Sequence, residues 1–231
     1  MEFASAIAPK SSGSSTIGVK GDLGPETLLD ARVCDCCQTA AALTVTGPIV
    51  AYRDRSPDEI RDIYVVRRMG GKWRAPMPVH KDNWKIAACP VNGPAIAADG
   101  DRVALGWFTA AGDSARVNVA FSTNGGARFK PPVRIDDGAP AGRVDVALLS
   151  DGSALVSWIE RTGGDTAAVR VRRVRPDGRA GPAATIATSS AARASGFPRM
   201  AISDETAFFA WTVPGRPSSV EVAQLPVARI R

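Results

Sequence analysis

The chain has one histidine, His80, two tyrosines, Tyr52 and Tyr64, and only 6% aromatic residues. A histidine-based hydrolase triad therefore has one candidate base, and no Gly-x-Ser-x-Gly elbow accompanies it. The same shortage argues against nucleic acid as a partner, because single-stranded binding uses stacking aromatics along a basic stripe. The net charge is +6, but the 23 arginines and six lysines are scattered. Even the densest run, RVRRVR at 170–175, reads as the solvated face of a strand. No apolar run approaches the roughly 18–20 residues of a membrane-spanning helix, so a soluble protein is expected. The start, MEFASAIAPKSSGSS, has an acidic second residue and a short apolar patch before Pro9 and Lys10, which does not read as a secretory signal. Residues 1–23 are expected to be an unstructured or non-native segment. No stretch carries a helical period with caps, so the expected class is all-β.

What the chain does have is a repeat. Four apolar stretches end on an aromatic: PIVAYRD with Tyr52, VALGWFT with Trp107, ALVSWIE with Trp158 and AFFAWTV with Trp211. The aromatics are 55, 51 and 53 residues apart, which suits one four-stranded propeller blade per repeat. Twelve residues before each lies a short small-residue stretch, beginning near Ala40, Ala95, Val146 and Arg199, which fits an inner strand at a crowded axis. Turn chemistry separates the two strands each time, as in Thr46-Gly47 and Asp99-Gly100-Asp101. The third stretches, DIYVVRR, ARVNVAF, AAVRVRR and SVEVAQL, alternate as strands with one buried face should. Residues 24–231 are thus expected to form a propeller with about four visible blades.

Ser122-Thr123-Asn124-Gly125-Gly126-Ala127-Arg128-Phe129 is similar to the Asp-box, or bacterial neuraminidase repeat, S-x-D-x-G-x-x-[W/F], with asparagine for aspartate. In that motif the polar side chain fastens a hairpin turn and the aromatic plugs between strands, so Ser122, Asn124, Gly126 and Phe129 take structural roles. Val66 to Trp73, VRRMGGKW, is a degenerate copy. The chain therefore resembles the sialidase-superfamily β-propellers, and the resemblance implies a six-bladed parent of which this chain would be a fragment. GPETLLDARV at 24–33 reads as the last strand of a preceding blade.

The resemblance also sets a test of activity. Sialidases hold the substrate carboxylate with three arginines and use a tyrosine, activated by a glutamate, as nucleophile. The arginine-bearing motif of the first blade is absent, and no tyrosine follows Tyr64. No catalytic residue is assigned. The expected function is a non-catalytic binding or interaction module for a carbohydrate or protein ligand. Two alternatives stay open: a sialidase-like glycoside hydrolase whose catalytic residues lie in missing blades, and an envelope metal-binding or thiol-redox protein. Similar proteins are exported, which implies a periplasmic or extracellular location.

Three of the four cysteines fall in CDCCQT, as Cys34, Cys36 and Cys37; the fourth is Cys89. Cys37 lies 15 residues before Tyr52 and Cys89 lies 18 before Trp107, so both precede the inner strands of adjacent repeats and should meet at one mouth of the channel. Cys36 or Cys37 could bridge to Cys89, the cysteines with His80 could hold zinc or copper, or the thiols could be inert. In extended backbone Cys34 and Cys36 share a face and Cys37 points away, so one partner for all three requires a turn. One bridge plus a free pair is a further possibility. Arg53, Trp84, Asn92, Arg143 and Arg199 complete the expected binding mouth.

Overall fold

The computed structural model describes residues 11–15 and 17–231, so the expectation for residues 1–10 and 16 lies outside the described residues. Strands β1 (Ser12–Ser14) and β2 (Thr27–Asp30) pair antiparallel ahead of the repeats. The first large sheet holds β3 (Ala40–Thr44), β4 (Gly47–Arg53), β5 (Ile63–Met69), β6 (Lys72–Trp73) and β7 (Met77–Pro78). The second runs β8 (Ala95–Asp99), β9 (Arg102–Thr109), β10 (Arg116–Ser122), β11 (Val133–Arg134). The third runs β12 (Pro140–Leu148), β13 (Ala154–Gly163), β14 (Thr166–Val174), β15 (Ala184–Ser190). The fourth has β16 (Arg199–Ser203), β17 (Thr206–Val213) and β18 (Ser219–Pro226). All the strand pairs are antiparallel meanders, as short tight turns between successive strands require.

The first strands of the sheets lie side by side, β3 against β8, β8 against β12 and β12 against β16, which sets the sheets out radially around one axis. Small residues make this approach possible. A Cβ on Gly106 of β9 would sit 2.7 Å from Val146 and 2.9 Å from Val144 of β12, so glycine admits the neighbouring sheet. Between sheets the core is apolar: Ile49, Val65, Leu105 and Trp107 join the first and second, Phe108, Val144 and Trp158 the second and third, and Leu155, Val169, Phe209 and Trp211 the third and fourth. The four repeat aromatics each occupy the second strand of a sheet and are at most 6% exposed. Truncating such a side chain costs about 3–5 kcal/mol, so these positions anchor each sheet to its neighbour.

Polar tips distinguish the aromatics. The Tyr52 hydroxyl donates to Asp30 of β2 at 2.6 Å, tying the leading hairpin to the first sheet, and Leu29 packs on Tyr52 there. Trp107 Nε1 donates to Asp82 at 2.7 Å and Trp158 Nε1 donates to Glu160. Trp211 Nε1 is buried without a partner among the described residues. In the fourth sheet β18 leaves Val220 and Val222 about two-thirds exposed, at 69% and 68%.

The turn after β10 is fastened by its own side chains. Ser122 Oγ donates to Asn124 Oδ1 at 2.8 Å and accepts from Gly126 N, while Asn124 Oδ1 accepts from Arg128 N at 3.0 Å. Phe129 then packs on the core shared by the first two sheets.

Candidate functional site at the cysteine rim

The site is built on the segment between β2 and β3. Val33 bridges to Asp54, and Cys34 N donates to Arg53 O at 2.9 Å, fixing the start of the segment to the end of β4. A turn follows, closed by Cys37 N donating to Cys34 O at 3.3 Å. This turn is what extended backbone lacks, and it brings Cys37 back beside Cys34: the two sulfurs are 3.1 Å apart. Cys36, at the corner, points outward to Cys89 and forms a disulfide across 53 residues with a Cα–Cα distance of 6.1 Å, within the ordinary range. The bridge joins the approach to β3 with the approach to β8, so it staples the first two sheets. Such a loop constraint contributes about 2–4 kcal/mol.

Gln38 continues the tie. Its Oε1 accepts from Gly93 N at 2.9 Å and its Nε2 donates to Gly93 O at 3.3 Å, an amide pairing that mimics a strand bridge. A Cβ on Gly93 would lie 2.0 Å from the Gln38 carbonyl oxygen, so no larger residue fits.

Two arginines face the thiol pair. Arg61 is buried; its Nη1 donates to Cys34 Sγ at 3.1 Å and its Nη2 to Glu59 at 2.8 Å. Glu59 gathers three guanidiniums, those of Arg32, Arg55 and Arg61, and the hydrogen bonds from Arg55 and Arg61 hold its carboxyl down at about 2. Arg53 is 1% exposed and directs all its donors inward, Nε to Asn92 O at 2.8 Å, Nη1 to Arg61 O and Nη2 to Phe108 O, both at 2.6 Å. Trp84 lies under that guanidinium, 4.9 Å from ring centroid to Cζ, and is itself buried with its ring edge against Phe108.

These neighbours divide one proton between two sulfurs. The hydrogen bond from Cys37 pulls Cys34 down to about 6, with Arg61 adding to it against the effect of burial. Cys37 is pushed up for the complementary reasons, its hydrogen bond to Cys34 and burial. The arrangement favours the charged form at Cys34 and the protonated form at Cys37. Cys34 Sγ also lies 3.6 Å from Cys36 Sγ, one of the two sulfurs of the bridge. The site thus holds two free thiols, Cys34 buried and Cys37 half-buried, and a disulfide within one turn of chain.

The remaining expected residues divide into groups. Asn92 stands at the rim, buried, with Nδ2 donating to Pro90 O and Ala141 O and Oδ1 accepting from Arg143 N. Arg143 is buried near the third and fourth sheets, and Arg199 is an exposed side chain 3.5 Å from Asp145. His80 lies 4.0 Å from Asp82 with its side chain 44% exposed. Among the described residues, the close cluster of metal-competent side chains is Cys34, Cys36 and Cys37, whose sulfurs fall within 4.8 Å of one another, and it does not include His80 or Cys89. Arg61, Glu59 and Gln38 were not singled out from sequence. The pairing of Glu59 with Arg61 follows a loop whose course depends on Arg53, and no local pattern marks it.

No family model matches this chain, and no curated protein matches it. Solved structures do. Phage phi92 endosialidase superposes with a TM-score of 0.61 at 11% identity, covering 88% of this chain and 39% of its own. A protein of unknown function from Dyadobacter fermentans gives 0.56 at 14% identity, with 89% and 65% covered. Xylan β-1,4-xylosidase from Bacillus halodurans gives 0.52 at 9% identity, with 81% and 39% covered. The chain thus spans less than two-thirds of the length of each. At these identities the likeness is one of fold: the all-β sheets match those of propeller proteins.

Proposed function

We propose that this chain is a blade array of a sialidase-like propeller, its four large sheets being four blades, and that its working site is the dithiol at the cysteine rim. The observation that carries the reading is the contact set of Cys34 Sγ: Cys37 Sγ at 3.1 Å, Arg61 Nη1 at 3.1 Å and the bridged Cys36 Sγ at 3.6 Å. The reaction is thiol–disulfide exchange with a disulfide-bearing partner. The Cys34 thiolate attacks one sulfur of the partner, forming a mixed disulfide and releasing the other sulfur as a thiolate. Cys37 then gives up its proton and attacks Cys34 Sγ, closing a Cys34–Cys37 disulfide and releasing the second partner thiolate. Two electrons pass from the dithiol to the partner, and nothing else is consumed. The Cys36–Cys89 bridge supports an oxidising compartment, periplasmic or extracellular.

A glycosidase centre finds less support. Tyr52 donates its hydroxyl to Asp30 and is 1% exposed, while burial and the Asp30 carboxylate push its ionisation up, which suits a core residue and not a nucleophile. Arg53 is buried and donates to three backbone carbonyls. A role as an interaction module remains part of the proposal, since exchange requires the rim to dock its partner.

The test is trapping. In Cys37→Ser the resolving step is removed, so incubation with oxidised glutathione is expected to leave a stable mixed disulfide on Cys34, mapped by mass spectrometry. In the unaltered protein a Cys34–Cys37 disulfide is expected, forming reversibly in glutathione redox buffers. Absence of both adducts would overturn the reading.

A second reading has its own observation, the three sulfurs within 4.8 Å. With the bridge reduced, Cys34, Cys36 and Cys37 would offer three soft ligands for copper(I) or zinc. Anaerobic reduction followed by metal titration tests it: one equivalent bound with loss of all three labelled thiols supports it, and no uptake contradicts it.

A further inference from the structure

Near the start of the third sheet and the link from the third to the fourth lies a small cavity of about 160 Å³, lined in part by Val91, Asn92, Arg143, Arg161 and Arg193. Three arginines line this space, and among the described residues none of them takes part in an ion pair. Arg143 is 7% exposed; its Nη atoms donate to Ser195 Oγ and to the carbonyls of Ala191 and Ala192, which carry no formal charge. Arg193 reaches the carbonyl of Cys89 at 3.5 Å. Arg161 extends from the end of β13 with its backbone N bonded to Ala139 O. Several exposed or half-buried arginines elsewhere are paired: Arg170 and Arg172 share Asp137, Arg173 meets Asp151, and Arg134 meets Asp136.

We infer that this cavity is a binding site for a small oxyanion, held by Arg143, Arg161 and Arg193. Three points support it. A buried cation without a counter-charge is costly, and an anion seated among the three removes that cost. Burial, followed by the charges of Arg161 and Arg193, pushes Arg143 down, in keeping with the nearness of the three side chains. The cavity wall is also held in uncommon backbone: Val91 has φ +49° and Arg143 φ +58°. Left-handed backbone is a genuine outlier for a β-branched valine, and such strain gathers at ligand clamps. The volume selects the ligand. It falls below the roughly 300–1,000 Å³ of pockets that enclose a whole small molecule and equals about five waters, which suits a phosphate or sulfate group. Guanidinium forks match the paired oxygens of such anions.

This inference stands apart from the dithiol reading and fails separately. The experiment is calorimetry of the full chain with inorganic phosphate, sulfate and glycerol phosphate, each against chloride at matched ionic strength. Saturable binding of the oxyanions and none of chloride is expected. Arg161→Ala combined with Arg193→Ala removes two exposed side chains, so the fold is expected to be kept, as checked by circular dichroism and an unchanged thiol count. That double variant is expected to lose affinity by about tenfold or more. Tighter binding of glycerol phosphate would support the site and identify the ligand as the anionic end of a larger molecule; equal or weaker binding would support it and point to the free ion. No saturable heat with any oxyanion, or equal affinity in the folded double variant, would overturn the inference.

Discussion

The molecule uses a buried arginine in the same way in two regions, and the two differ in what balances the charge. Arg53, between the first and second sheets, gathers the carbonyls of Arg61, Asn92 and Phe108; Arg143, near the third and fourth, gathers those of Ala191 and Ala192 with Ser195. Beside Arg53 stand the sulfurs of Cys37 and Cys34 and a face of Trp84. Beside Arg143 stand two more arginines. A guanidinium is well suited to stitching irregular rim segments together, because it offers five donors to carbonyls that no strand partner satisfies. On the readings proposed above, the counter-charge separates a structural tie from a site: the first region would supply its own in the Cys34 sulfur, and the second would take one from a bound anion.

The comparison is broken most severely by removing the ties. Arg53→Met strands three carbonyls and exposes the thiol pair to an unbalanced interior, with an expected loss of about 3–5 kcal/mol in urea unfolding. Arg143→Met removes a cation that had no counter-charge, so a smaller loss of about 1–3 kcal/mol is expected. Equal losses would contradict the distinction drawn between the two regions. Opening the staple comes next. Cys36→Ser with Cys89→Ser is expected to cost about 2–4 kcal/mol while Cys34 and Cys37 continue to titrate as a pair. Loss of the paired titration in that variant would mean that the bridge, and not Arg61 with Glu59, positions the dithiol.

A finer contrast runs between the second and fourth sheets. Trp107→Phe leaves Asp82 without the indole donor and is expected to cost about 1–3 kcal/mol, whereas Trp211→Phe removes a buried N–H that has no partner and is expected to stay within about 1 kcal/mol of the unaltered protein. Thermal unfolding of the two variants side by side checks the order.

The sheets were legible in the sequence because their signal is local and periodic. Tyr52, Trp107, Trp158 and Trp211 mark second strands, and the stretches twelve residues earlier fall on β3, β8, β12 and β16. The meeting of the CDCCQT segment with Cys89 was legible too, since equivalent positions in adjacent repeats must converge at one end of a radial array. The partition of the cysteines was not. It depends on one turn at 34–37, and on Arg61 and Glu59 arriving from the loop after β4, whose path no alternation records. The arginine cavity escaped for a similar reason: Arg161 lies near the end of β13 and Arg193 in the link from the third to the fourth sheet, and only the assembled rim places them beside Arg143.

The most direct test is the pH profile of alkylation, read cysteine by cysteine by mass spectrometry on the unreduced protein. A thiol lowered to about 6 is protonated only as the pH falls through that value. Cys34 is therefore expected to react at a constant rate above about pH 7 and to lose half of it near 6, with Cys37 slow and Cys36 and Cys89 unlabelled until reduction. Glu59→Gln, which loosens Arg61, is expected to move the Cys34 midpoint upward. A Cys34 rate that keeps climbing to the ordinary thiol value of about 8.5, or labelling of Cys36 and Cys89 before reduction, would contradict the account.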